Sequence, residues 1–512
     1  MTKVRSPISE RTVPKGVLIQ QDKQVAPGQN GGILDLIMLY MYNKKVIDAG
    51  VRKKLEDGDL ARNKMDMTKG PLLGKMITFA LPLMASGVLQ LLFNAADTAV
   101  VGRFTGQQAL AAVGSNGPLI NLIVTLFMGL SVGTNVLTAQ YLGSGRKKDL
   151  SETVHTSIVA SAVFGLILVG LGFLLARPML NMMGSPEDVI DLAELYIKIY
   201  FTGMPMLMVY NYGSAILRAA GDTKRPLIFM MISGVINVGL NLLLVIVFKL
   251  GVAGVAIATV VSETVSAVLV LSCLIKSKGD WGFRWKEARI TWSKLGRMTR
   301  IGLPAGFQGA SFAISNMLIQ SSINSFGSVT MAGNAAAANI EGFCYVAMDA
   351  FSQAAISFTG QNYGAREFKR VDKILIYTLI LGTSSGILFG GAAYLLGRPL
   401  LGIFSTDPAV IDVGMLRMGI ICLTQFTSIW MGTPSNVCRA MNRSFFPMLN
   451  TVVCVCVFRI IWILTVFTID RSLTILYLSY PISWILAAVI GTIYFLTVRK
   501  KVRREIPGPQ EG

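Results

Sequence analysis

Apolar and polar stretches alternate along the chain with a spacing set by membrane thickness. Twelve apolar runs lie near 74–101, 115–142, 154–176, 189–213, 226–248, 252–275, 296–325, 336–362, 373–396, 410–433, 446–468 and 473–498. Each holds roughly 20 residues or more, the length at which a helix rising about 1.5 Å per residue crosses about 30 Å of hydrocarbon. The pattern predicts an all-α integral membrane protein of twelve transmembrane helices.

The runs repeat. At an offset of 222, Leu81-Pro82 falls on Leu303-Pro304, Asn94 on Asn316 and Phe104 on Phe326. After a one-residue slip, Thr138-x-Gln140-x-x-Gly143 falls on Thr359-x-Gln361-x-x-Gly364, Arg177-Pro178 on Arg398-Pro399, Arg218-Ala219 on Arg439-Ala440 and Pro226 on Pro447. Six spans per half is an even number, so both halves enter from one side and are related by a pseudo-two-fold axis along the membrane normal. Two such lobes suit alternating access about a central cavity.

Composition agrees: 53% of the 512 residues are hydrophobic and 15% charged. The net charge of +19 would suggest nucleic acid if the basic residues were clustered, but they occupy alternate loops. Arg146, Lys147, Lys148, Lys224, Arg225, Arg366, Lys369, Arg370 and Lys373 follow even-numbered spans, with eight more between Lys276 and Arg300 and a run from Arg499 to Arg504. The opposite loops hold little beyond Arg103, Arg177, Lys249, Arg398 and Arg471. The positive-inside rule therefore places both termini in the cytoplasm of a multi-pass protein of the inner (plasma) membrane.

The domain plan is a first lobe over 67–275, a basic linker over 276–295, a second lobe over 296–498 and a cytoplasmic tail over 499–512. Residues 1–66 are polar and aperiodic, and little order is expected there. A start assigned too far upstream, with Met65 or Met67 as the true first residue, would account for them, and a genuine cytoplasmic extension is the alternative. Cys273, Cys344, Cys422, Cys438, Cys454 and Cys456 lie in or beside apolar runs without zinc or redox spacing and read as packing residues.

An ionisable group near the bilayer centre costs at least about 2.5–3.5 kcal/mol, so each one calls for an explanation. Asp97, Glu263, Glu341, Asp349 and Arg459 are the candidates. Asp97 lies in the outer third of the first span, as a proton-accepting carboxylate or as a partner of Arg103. Asn237 and Asn241 stack at i, i+4 on the fifth span, and with Thr259 of the sixth they suggest one ion-coupling polar network around Asp97, or else interhelical amide packing. Glu341 and Asp349, about 80° apart on the eighth span, could border a second-lobe cavity, with Arg459 as a partner for one of them. Phe127, Phe351, Tyr210, Tyr212 and Trp430 could line an adaptable apolar cavity.

No phosphate-binding loop or His-Glu-x-x-His motif occurs, so neither ATP hydrolysis nor zinc catalysis is expected, and the chain does not read as an enzyme. The single histidine, His155, reads as an interfacial packing residue.

From Met67 to about Arg499 the chain resembles the multidrug and toxic compound extrusion (MATE) family, nearest its DinF-like branch. The resemblance rests on Met67-Thr-Lys-Gly-Pro71, Asn94-Ala-Ala-Asp-Thr-Ala-Val-Val-Gly-Arg103, Ala109-Leu-Ala-Ala-Val-Gly114, Arg218-Ala-Ala-Gly-Asp-Thr-Lys-Arg-Pro226 and Gly251-Val-Ala-Gly-Val-Ala256. It implies efflux of amphipathic, often cationic small molecules driven by a proton or sodium gradient, with sodium at Asp97 the one metal in prospect and no other cofactor. It also implies small-molecule and lipid partners, no nucleic acid, and a monomer. Asp97, Asn237 and Thr259 match the branch's first-lobe network, whereas Asn241 stands where an aspartate is expected. Flippases for lipid-linked saccharides share the wider superfamily and form the alternative.

Overall fold

Hydrocarbon supplies no water for peptide groups, so each apolar run must satisfy its own N–H and C=O groups by coiling into a helix. The computed structural model describes residues 65–182, 187–277 and 279–505. In the first lobe the spans are α1 (Leu72–Phe104), α2 (Gln107–Gly143), α3 (Lys147–Met182), α4 (Glu187–Thr202 then Met204–Ala219), α5 (Lys224–Leu242, extended by a π turn over Leu243–Val247) and α6 (Gly251–Lys276). In the second they are α7 (Trp292–Asn324), α8 (Ser328–Gly364), α9 (Phe368–Leu395 then Gly397–Gly402), α10 (Pro408–Thr424 then Phe426–Ala440), α11 (Phe445–Thr451, a π segment Val452–Val457, Phe458–Leu464 and Val466–Ile469) and α12 (Leu473–Glu505).

Eight of these helices are long and apolar enough to cross a membrane on length and composition alone, and ten when the bent pairs of α4 and α10 each count as one span. The remaining two, α7 and α8, are 33 and 37 residues long but rich in Ser, Asn and Gln. Their polarity goes with their packing: both helices press against α2 of the other lobe. α4 bends by 48° at Gly203, where Pro205 lacks the N–H that would continue the ladder, and α10 bends by 42° at Gln425.

The first lobe is built around Leu168, Leu180, Phe201, Tyr212 and Leu217, and the second around Ile319, Ile323, Val455, Leu476 and Tyr477. α1 leans from one lobe to the other. Near the basic loops its Phe79 packs edge-on against Phe358 of α8 at 5.5 Å, while further along Phe93 fills the space left by Gly234 of α5. α7 leans the opposite way, pressing Gly302 and Gly306 against the backbone of α2 before rejoining its own lobe at Ile319.

The half of the molecule nearest the basic loops is closed by cross-lobe bonds that obey the repeat. Gln140 Nε2 donates to the carbonyl of Ala440 at 2.7 Å, and Gln361 Nε2 donates to the carbonyl of Ala219 at 2.7 Å. Ser357 Oγ donates to Asn135 Oδ1 at 3.1 Å. Gly143 and Gly364 let these helix ends cross: a Cβ at Gly143 would lie 1.9 Å from the Gln361 oxygen, and one at Gly364 2.1 Å from the Gln140 oxygen.

The linker is part of the fold. Phe283 is buried and stacks on His155 at 5.2 Å. The backbone N–H of Arg284 donates to His155 Nε2 at 2.9 Å, while Nδ1 lies 2.7 Å from the Ser151 carbonyl, so the histidine pins the linker to α3. Lys294 donates to Asp149 and holds that carboxyl below the usual carboxylate range.

Residues 1–64 lie outside the described residues, but Met65 packs on Gly221 and Met67 is fully buried, its carbonyl accepting from Asn362 at 3.1 Å. The expected tail from 499 continues α12 to Glu505, with Arg499 and Arg503 both bound to Asp372. Residues 506–512 of that tail lie outside the described residues.

The glycine contact between α2 and α7 makes a direct prediction. A Cβ at Gly306 would lie 2.3 Å from the Leu126 carbonyl oxygen, so Gly306→Val must push the backbones of α2 and α7 away from each other. The expected cost is about 1–3 kcal/mol, seen as a lower melting temperature in detergent, whereas Gly74→Ala, with nothing within 4 Å, should melt like the parent. Equal melting of Gly306→Val and the parent would refute the contact.

Candidate functional site

Beyond the closed half, polar side chains stand exposed at membrane depth. Asn94 of α1 lies two turns beyond Gly87, which touches Val346 of α8; Asn316 of α7 lies two turns beyond Gly309, which touches Thr125 of α2. Asn339 of α8 lies two turns from Val346 in the same outward sense. On a helix, two turns return to the same face. The faces that meet the other lobe near the basic loops therefore continue without a partner, and exposed amides there require a water-filled cleft rather than lipid.

Asp97 sits on the first-lobe wall of this cleft. Asn241 Nδ2 donates to Asp97 Oδ1 at 2.5 Å and lies 3.3 Å from Asn237 Oδ1, with both asparagines buried. The i, i+4 pair of α5 thus holds the carboxyl of α1 through neutral groups, and Asp97 pairs with Asn241 rather than with Arg103. Thr259 does not join: its hydroxyl donates to the Val255 carbonyl of its own helix at 3.1 Å.

Glu263 contributes more than its sequence context suggested. Its carboxylate lies against the α4 bend, where a Cβ on Gly203 would be 2.9 Å from Oε2, and that oxygen is buried without a hydrogen bond. Tyr196 and Tyr200 of α4 stack at 5.9 Å and lie within electrostatic reach of both Asp97 and Glu263. These tyrosines were missed because one tyrosine in a helix reads as packing until a bend turns it toward an acid.

In the second lobe the expected arrangement is corrected. Glu341 lies on the far side of α8 from Val346 and faces the lobe interior, where Arg417 of α10 binds it at 2.6 Å. Arg417 also donates to Asn334 at 2.7 Å, and Tyr477 donates to the same oxygen at 3.3 Å. Arg459 pairs with neither acid of α8: it bonds Ser483 at 3.1 Å and Asn316 at 3.3 Å and lies 4.1 Å over the Tyr480 ring. Arg417 was legible as a charge within Met415-Leu-Arg-Met418 and was overlooked. Asp349 is half-buried, 3.4 Å from Gln353, with Arg218 of the first lobe as its electrostatic counterpart.

Of the aromatics suggested for a cavity, Tyr212 and Phe351 are buried in packed cores, Phe127 packs on Phe164, the Tyr210 hydroxyl bonds the Pro226 carbonyl, and Trp430 donates to Thr383 at 2.9 Å. Among the described residues no group of His, Cys, Asp or Glu has the arrangement of a multidentate metal site.

Fold and site together define a polytopic membrane protein of two repeated six-helix lobes around a central cleft. The MatE family model matches twice, over residues 82–243 and 304–465, and the chain belongs to this family of membrane multidrug transporters. The two matches stand 222 residues apart at both ends, the offset found in the sequence. The chain is 28% identical over 350 residues to "Probable multidrug resistance protein YpnP" of Bacillus subtilis (strain 168), covering 68% of this chain and 78% of that one. It is 26% identical over 400 residues to "Probable multidrug resistance protein NorM" of Thermotoga maritima, covering 77% and 86%. The fold superposes with a TM-score of 0.80 at 20% identity on the "Outward-facing conformation of a multidrug resistance MATE family transporter of the MOP superfamily", covering 86% of this chain and 98% of that one.

The Glu341–Arg417 pair makes the second prediction. Arg417→Leu strands a buried carboxylate and should destabilise the chain by about 3–5 kcal/mol, while adding Glu341→Leu should recover most of that loss. Unfolding in detergent reads both variants, and a double variant no more stable than the single would show that the pair is not the coupled unit.

Proposed function

We propose that the protein is a secondary active exporter of amphipathic, often cationic small molecules, coupled to a proton or sodium gradient by alternating access of its lobes. The observation that carries this reading is Asp97, a carboxyl on the cleft wall bonded to the neutral amide of Asn241 at 2.5 Å and paired with no cation. Such a group can bind a proton or a sodium ion from the cleft and release it when the environment changes, whereas a group locked to an arginine cannot do so at modest cost. Asn241 in place of a second carboxylate leaves Asp97 as the group that changes charge, with Glu263 behind it.

The names of the two relatives described above, both probable multidrug resistance proteins, support export of small molecules. The basic loops lie on the closed side, so the positive-inside rule makes this an outward-open arrangement with both termini in the cytoplasm. The chain acts as a monomer in this scheme, because cleft and coupling site lie within one chain.

In proteoliposomes, a proton or sodium gradient should drive ethidium movement, and Asp97→Asn should abolish gradient dependence while leaving ethidium binding within about threefold. That predicted split follows from Asp97 acting on coupling more than on affinity. Undiminished coupled flux in Asp97→Asn would overturn the assignment, and applying the two gradients separately identifies the ion.

A further inference from the structure

The two lobes hold different ionisable groups at membrane depth. Among the described residues, Asp97 and Glu263 of the first lobe have no ion-pair partner, while the second has two guanidinium groups, Arg417 and Arg459, beside Glu341, which Arg417 already binds, and Asp349, whose electrostatic counterpart is Arg218 of the first lobe. Tyr480 lies between the two guanidinium groups, 5.6 Å from Arg417 and 4.1 Å from Arg459. Arg459 makes no ion pair among the described residues, and the acid within its electrostatic reach, Glu341, is already bound by Arg417.

Arg459 is only 1% exposed, yet its partners are a hydroxyl, a carboxamide and aromatic faces, and its Nη2 has no hydrogen bond. A buried cation that makes no ion pair of its own is costly, and pairing it with an anion recovers much of that cost. The cleft is one residue away. Asn316, which accepts from Arg459 Nη1 at 3.3 Å, is exposed on the α7 face that borders the cleft, so rotation of that one side chain would open the guanidinium to a ligand.

We propose that Arg459, screened by Asn316, is an anion subsite of the cleft that takes the carboxylate of an amphipathic substrate. The planar guanidinium presents two parallel donors that match a carboxylate. Asn94, at the repeat-equivalent position in the first lobe, has Asp97 one turn on in place of an arginine. A substrate spanning the cleft would thus meet a cation-seeking wall on one side and an anion-seeking wall on the other. This inference rests on reading the cleft as the substrate route.

The test uses the full chain in nanodiscs, with carboxyfluorescein and ethidium as anionic and cationic probes followed by fluorescence polarisation. Asn316→Asp places a carboxylate against Arg459 from within, as a tethered substitute for the ligand. It should weaken carboxyfluorescein at least about tenfold, leave ethidium bound at least as tightly, and raise the melting temperature. Asn339→Asp adds the same charge to the cleft wall away from Arg459 and should weaken carboxyfluorescein less than about threefold. Equal weakening by the two variants, or a parent protein that binds ethidium but not carboxyfluorescein, would overturn the anion subsite alone. Failure of the parent to bind either probe would overturn the substrate reading beneath it.

Discussion

The closure near the basic loops depends on one amide hydrogen bond made twice, once from each lobe, by the same rule. Gln140 reaches the last carbonyl of the second lobe's bent helix, and Gln361 reaches the last carbonyl of the first lobe's. A helix end leaves its final carbonyls without intrahelical partners, so these are the backbone groups free to accept. Both glutamines can arrive only because Gly143 and Gly364 allow the two helix ends to cross at backbone contact. Everything beyond this crossing follows from it: with α2 and α8 pinned at one end, the lobes diverge toward the other, and the residues left facing the gap become the cleft.

Duplication explains the closure but not the chemistry. At equivalent positions the walls carry Asn94 and Asn316, a symmetric pair, yet behind them stand Asp97 on one side and Arg459 on the other. The repeat maintains backbone geometry because a change in one lobe must fit its counterpart across the axis. Side chains directed into a lobe's own interior meet no such requirement. Asn237 and Asn241 of α5 and the Glu341–Arg417–Asn334 cluster between α8 and α10 have each diversified without disturbing the crossing.

Much of this organisation was legible before any coordinates. Span positions, the repeat and the linker follow from apolar run lengths and from matched Pro, Gly and Gln positions, and the motif Thr-x-Gln-x-x-Gly marked the closing residues without revealing their role. Asp97 and its amides were legible because one charge in an apolar run is conspicuous and i, i+4 spacing fixes a face. Partnership between helices was not. Thr259 has the right depth but bonds its own backbone, Glu341 has the right helix but faces inward, and Arg417 claims the carboxylate for which Arg459 was considered. Depth and helical phase can be counted along a sequence, whereas which helix lies beside which is set by packing. The polar α7 and α8 show the converse: their low apolarity, a weakness when spans are sought, marks the helices that border the cleft.

The energetics of the closure suit the proposed cycle, in which it is undone. A net amide hydrogen bond contributes about 0.5–1.5 kcal/mol, so the symmetric pair from Gln140 and Gln361 together with the Ser357–Asn135 bond supplies only a few kcal/mol. Glycine contacts add dispersion but bury no charge, and no ion pair among the glutamines and glycines of the crossing must be desolvated or broken. A two-state element with a gap of that size responds to a ligand whose affinity differs between the states by one to two orders of magnitude. A change of charge on Asp97 is of that order, because burial and exposure of a carboxyl differ by several kcal/mol. In the proposed cycle, neutral amides at the crossing and charges along the cleft therefore divide the work: the first keeps the barrier low, and the second decides on which side of it the protein rests.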